Sequence, residues 1–134
     1  MSEADQDKRS IAELRAEVLA DVTPHLAALA PQIGELAMKF AYEHIWSRDG
    51  LSPRDRSIAT IAALVALNCP TELKMHSLRG LANGLSKEEI GEIITQLTPY
   101  VGFPLSVTAA AAVGEVVPRA LPGDAGQIFP APKR

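Results

Sequence analysis

Residues 58–67, Ile-Ala-Thr-Ile-Ala-Ala-Leu-Val-Ala-Leu, carry no charge and one hydroxyl, so an element built from them has no face to turn to water. Ser52-Pro53-Arg54-Asp55 just ahead reads as an N-cap, a first-turn proline and an acidic third position, which makes the element a helix. The run is far shorter than the roughly 20 residues that span a bilayer. It therefore predicts a central helix buried on every side of a small soluble domain. Burying it within 134 residues is hard, and the apolar surplus predicts a homo-oligomer.

The rest of the chain supports an all-α domain. Ile11, Leu14, Val18 and Leu19 recur at helical spacing behind a polar arm, residues 1–8, and predict a first helix with a loose start that Pro24 ends or restarts. Pro31 opens a second helix whose Ile33, Leu36, Ala37, Phe40, Ala41 and Ile45 stripe is expected to face a core. After the helix of residues 53–67, Pro70 starts a fourth that Gly84 stops at about residue 83. Ser86 with Glu89 forms a capping box for a fifth over about 87–98. An alanine-rich sixth follows the Tyr100-Val101-Gly102-Phe103-Pro104 turn, runs to Val117 and is expected to be buried, with another subunit as a candidate cover. Six helices over residues 9–117 are followed by a Pro/Gly-rich tail, residues 118–134, too poor in apolar residues to join a core. No period-two strand and no internal repeat is present.

Composition excludes several function classes. A formal charge of −3 with 13 scattered basic residues lacks the electrostatic footprint of nucleic-acid binding. The lone Cys69 rules out an intramolecular disulfide or a multi-cysteine metal site in one chain, and no basic segment with an apolar stretch opens the sequence. A cytoplasmic protein with no membrane partner is expected. His25 and His44 have no acidic or cysteine neighbour at ligand spacing, so no metal site is predicted.

On the fourth helix Glu72, His76, Arg79 and Asn83 fall at i, i+4, i+7 and i+11, lining one face with a carboxylate, an imidazole, a guanidinium and an amide. Such a stripe can bind an anion and move a proton. It is also the pattern of a solvated face with an ordinary Glu–His pair, the commoner case, and spacing does not separate the two. Arg54 and Arg56 lie in a first turn where the helix dipole prefers acids, which hints at an anion to be held there. Cys69, at an N-cap ahead of Pro70, has the dipole to lower its thiol pKa and Glu72 to raise it, and reads as a buried, inert thiol.

Phe40-Ala41-Tyr42, Ile45-Trp46-Ser47-Arg48, Gly50 through Ser57, Glu72-Leu73-Lys74-Met75-His76 and Asn83 through Ile90, in this order, resemble the γ-carboxymuconolactone decarboxylase family. The resemblance runs from about residue 33 to 117. It implies the all-helical fold shared with alkyl hydroperoxidase D, assembly as trimers or hexamers, and active sites near subunit contacts. The peroxidase branch of that superfamily carries Cys-x-x-Cys-x-x-x-His; Cys69 and His76 match its first cysteine and its histidine, Glu72 replaces the second cysteine, and Ser57 stands at the position of its glutamate. The decarboxylase branch resembles this chain at Arg56, Glu72 and His76, with Cys69 a departure from it.

The reaction so implied is cofactor-free loss of CO2 from a γ-carboxylated unsaturated lactone, giving β-ketoadipate enol-lactone in aromatic acid catabolism. His76 and Glu72 are the expected catalytic pair, with His76 serving the developing enolate or the carbanion and Glu72 fixing its tautomer or relaying the proton. Arg56, with Arg54 or Arg79, is expected to hold the substrate carboxylate. Trp46, Phe40 and Phe103 form an apolar wall or simply pack the core. The alternatives are a thiol-dependent peroxidase using Cys69, a related lactone-processing enzyme, and a non-catalytic oligomeric binding protein.

Overall fold

The structure, a computed structural model, describes residues 7–122. Seven α-helices, α1 (Ile11–Ala20), α2 (Thr23–Leu29), α3 (Gln32–Leu36), α4 (Pro53–Ala66), α5 (Pro70–Ala82), α6 (Lys87–Val101) and α7 (Phe103–Gly114), are joined by short links. From α3 the chain passes directly into a π-helix, Ala37–Trp46, and after α7 it makes a 3-10 turn, Val117–Arg119. Among the described residues the α-helices number seven rather than six because Pro24, in the first turn of α2, restarts the chain as a separate helix. Helix α6 runs through Pro99 to Val101, past its expected end, and Gly102, at φ 92°, turns directly into α7.

Local chemistry accounts for most of these boundaries. The start of α1 is not loose: the Ser10 hydroxyl accepts from Glu13 N at 3.1 Å while the Glu13 carboxylate accepts from Ser10 N at 3.3 Å. Ser86 and Glu89 make the same reciprocal pair at 3.0 Å each way, and Ser52 caps α4 through Asp55 N at 3.1 Å. Helix α5 closes at Gly84, whose φ of 103° no side chain adopts cheaply.

Helix α5 is the hub, touching α1, α4, α6 and α7. Leu14 of α1, Ile61 of α4, Leu73 and Leu78 of α5 and Ile90 of α6 are fully buried, each worth about 1.5–3 kcal/mol of transfer free energy. Gly80 lets α4 and α5 approach closely, since a Cβ there would stand 3.2 Å from Ile61 Cδ1 and 3.0 Å from Leu85 Cδ1. The two ends of the described chain meet beside this core. Arg9 N donates to Arg119 O at 2.9 Å, Leu121 N donates to Arg9 O at 2.8 Å, and Arg119 bonds Glu17 at 2.8 and 3.1 Å.

Two expectations about burial are corrected, for the stripe of the second helix and for the tail, and two helices expected to be covered are only partly covered within the single chain. Within the single chain helix α4 is covered along one side only: Ile61 and Val65 point inward, among α5, α6 and α7, whereas Ala59, Ala63, Ala66 and Leu67 are exposed. The stripe of the second expected helix faces outward, with Ile33, Leu36, Phe40 and Ile45 all exposed. Helix α7 is half-buried, with Ala109 and Val113 inside and Phe103 and Val107 outside. The expected tail start at Pro118 falls within packed structure, since Ala120 is buried and Arg119 is ion-paired; residues 123–134 lie outside the described residues, as do residues 1–6 of the arm. Among the described residues no helix is long and apolar enough to cross a membrane.

Candidate active site

The polar stripe of α5 keeps its spacing but its members part company. Asn83 turns to α4, donating to Ser57 Oγ at 3.0 Å and to Pro53 O at 3.4 Å, and so fastens the end of α5 to the start of α4. Glu72 is exposed and makes no hydrogen bond or ion pair with another described residue, His76 included. His76 and Arg79 turn towards the π-helix. The imidazole stacks on the Trp46 indole, with ring centroids 5.9 Å apart and planes inclined by 17°. The Arg79 guanidinium carbon lies 4.4 Å from the Trp46 ring centroid and 4.4 Å from that of Tyr42.

A π-helix, bonded i to i+5, keeps positions four apart as neighbours, which brings Tyr42 and Trp46 together with ring centroids at 6.2 Å. Arg79 is only 4% exposed. Burial lowers its pKa, and Tyr42 opposes that shift, but a guanidinium stays charged at any physiological pH. The cation is faced by two π-clouds, an arrangement worth up to about 2 kcal/mol per ring when water is excluded. Burial, and then the neighbouring Arg79 charge, pushes His76 down to about 4. The imidazole is therefore neutral at pH 7, and its Nδ1 is buried without a hydrogen-bond partner among the described residues.

The chain from residue 31 onward thus places an indole and a phenol on a buried cation and a neutral imidazole, and this stretch is also what it shares with known proteins. The sequence profile of the carboxymuconolactone decarboxylase family matches residues 31–115. The chain belongs to that family. It is 41% identical over 78 residues to a 4-carboxymuconolactone decarboxylase of Acinetobacter baylyi, a stretch covering 58% of each protein. It is 29% identical over 75 residues to a nitrosuccinic acid decarboxylase of Metarhizium robertsii, covering 56% of this chain and 52% of that protein. The chain therefore spans a little over half the length of the curated relatives it matches.

Within the family-matched region the other expected site residues are dispersed. Arg54 is committed to Glu89: its Nη2 pairs with the Glu89 Oε2, while Oε1 of the same carboxylate accepts from Ser86 N. This guanidinium ties the first turn of α4 to the first turn of α6. Arg56 donates from Nη2 to the carbonyl of Arg48 at 2.8 Å, two residues past Trp46, and is partly exposed. Phe40 and Phe103 are exposed and line no wall around His76. Cys69 lies two turns before His76, about 10 Å along the helix axis, with its Sγ 3.7 Å from Leu67 O. Lys74 pairs with Glu115, which accounts for a cation between Glu72 and His76. Tyr42 stands in the sequence only as part of the family-like Phe40-Ala41-Tyr42 motif, with no role of its own expected there; the available signal was its place four residues before Trp46 on an aromatic-bearing helix.

Proposed function

We propose that the chain is a decarboxylase that acts without a cofactor on a γ-carboxylated unsaturated lactone of the 4-carboxymuconolactone type, giving the β-ketoadipate enol-lactone of aromatic acid catabolism. As the bond to the carboxylate carbon breaks, its electron pair passes into the conjugated lactone carbonyl and CO2 leaves. The charge to be stabilised is a dienolate oxygen, and a proton must then return to carbon. The observation that carries this reading is the neutral His76, stacked on Trp46 beside the buried Arg79 cation.

A neutral imidazole supplies an N–H to the dienolate oxygen instead of a full proton, and the nearby guanidinium favours that negative charge electrostatically. Arg56 is the arginine suited to the substrate carboxylate, being partly open to solvent and anchored just past Trp46. Glu72, exposed one turn ahead of His76, is suited to returning a proton from solvent and not to fixing the imidazole tautomer. The exposed apolar faces of the π-helix and α7 are consistent with a homotrimer or homohexamer. Cys69 has no part in this chemistry.

The test is CO2 release, with loss of the conjugated-lactone absorbance, from 4-carboxymuconolactone using wild type and His76→Ala. Wild-type turnover that falls by at least about 100-fold in the variant is the expected result. Absence of turnover by the folded wild type overturns the substrate. Full activity of the variant overturns the role of His76.

A further inference from the structure

We propose that Tyr42 is a positioning residue: its ring and the Trp46 indole form an aromatic corner that seats the Arg79 guanidinium beside the stacked His76, holding the outward-standing Ala37–Trp46 segment on the reacting face of α5. The inference rests on the reading of His76 as the reacting group.

The three separations, 4.4 Å from the guanidinium to each ring and 6.2 Å between the rings, place the cation in the angle between two π-faces. A guanidinium this deeply buried needs such company, because removing a cation from water is costly unless negative charge or π-electron density faces it. The need is greater here because Arg15 of α1 also bears on Arg79 electrostatically and disfavours its charge, while the Tyr42 hydroxyl favours it electrostatically and by a hydrogen bond, in addition to the ring that faces it. Among the described residues, the groups bearing on the His76–Arg79 pair include Arg15 on α1 and Tyr42 and Trp46 on the π-helix.

The corner is also where the segment meets the body of the domain. Residues 31–40 are exposed throughout, whereas Tyr42 and Trp46 are partly buried, and the Arg56 bond to Arg48 O holds the chain just beyond them. Trp46 has contacts of its own with His76, so it touches a reacting group directly. Tyr42 reaches His76 only through Arg79 and Trp46, which makes its role one of positioning.

The experiment uses the intact protein with Tyr42→Phe, which keeps the π-face and removes the hydroxyl, and Tyr42→Met, which removes both. Trp46 is the only tryptophan in the chain, so its emission reports on the corner directly. Expected for the Met variant are red-shifted emission with greater acrylamide quenching, a His76 titration midpoint moved up towards 6.5, and kcat reduced about tenfold with KM within about twofold. The Phe variant, which keeps the ring and loses only the hydroxyl that favours the Arg79 charge, should keep the wild-type emission and fall between wild type and the Met variant in His76 titration and kcat. In wild type, ring currents should shift the Arg79 side-chain protons upfield, an observation that needs no variant and stands even if the Met variant fails to fold. Unshifted Arg79 resonances, or a folded Met variant with wild-type emission and His76 titration, overturn the proposal. Emission and titration need no substrate, so a failure of the decarboxylase reading appears separately, as absent CO2 release with the corner intact.

Discussion

His76, the proposed reacting group, is where burial acts most on charge. Its folded pKa, about 4, lies below its ordinary 6.5, so the unfolded chain takes up a proton first as pH falls. The stability held by keeping the ring neutral is complete above about pH 6.5 and is lost as pH drops towards 4, by at most about 3 kcal/mol. The Glu17 carboxyl, held below 4.5 by its hydrogen bond to Arg119, loses its contribution only at lower pH, so the two windows separate. Urea midpoints measured between pH 7 and pH 4.5 should decline in wild type and stay nearly level in His76→Gln. An equal decline in both would remove His76 as the cause. The spacing of Glu72, His76 and Arg79 was legible in the sequence. That Glu72 and His76 do not bond, and that Arg79 is buried, was not, because both depend on an indole and a phenol 30 or more residues earlier in the chain.

At the scale of elements, caps and glycines explain most boundaries, and two glycines give opposite predictions for one change. Gly91, mid-helix in α6, has open space around a would-be Cβ, so Gly91→Ala should stabilise by about 0.4–1 kcal/mol through the unfolded chain's lost freedom. Gly84 also has space but sits at φ 103°, so Gly84→Ala should destabilise by about 1–2 kcal/mol. Thermal or urea melts of both variants check the pair; the same sign for both would refute the backbone account. The capping boxes at Ser10 and Ser86 are equally plain in sequence, though only the second was read from it. The π-winding of Ala37–Trp46 is different. Nothing in the spacing of Phe40, Ala41 and Ile45 distinguishes an i to i+5 ladder from an α-helix, and the same residues that look core-facing by period turn out to be exposed.

For the whole molecule, the apolar surface left by the fold is the dominant fact. Leu29, Ile33, Leu36, Met38, Phe40 and Ile45 are all exposed on α2, α3 and the π-helix, and Phe103 and Val107 on α7. A monomer with this surface pays the full hydration cost of those side chains, which association would relieve. Sedimentation velocity at micromolar concentration should therefore find an assembly, and Phe40→Glu should shift it to smaller species without unfolding the domain, whose core does not include Phe40. A wild type that sediments as a monomer would refute the oligomer.

The all-helical class, most of the caps, the polar stripe of α5 and the family resemblance follow from local sequence, because each rests on residues within a turn or two of one another. What the sequence left open is which side of each apolar helix is covered. Residues 58–67 are apolar all round, yet one side is bare in the single chain, since that depends on where α5, α6 and α7 pack and not on the run itself. The same holds for the site. Period alone puts His76 and Arg79 on one face, but only the placement of the π-helix against α5 brings Tyr42 and Trp46 onto them, taking His76 out of water and fixing its charge.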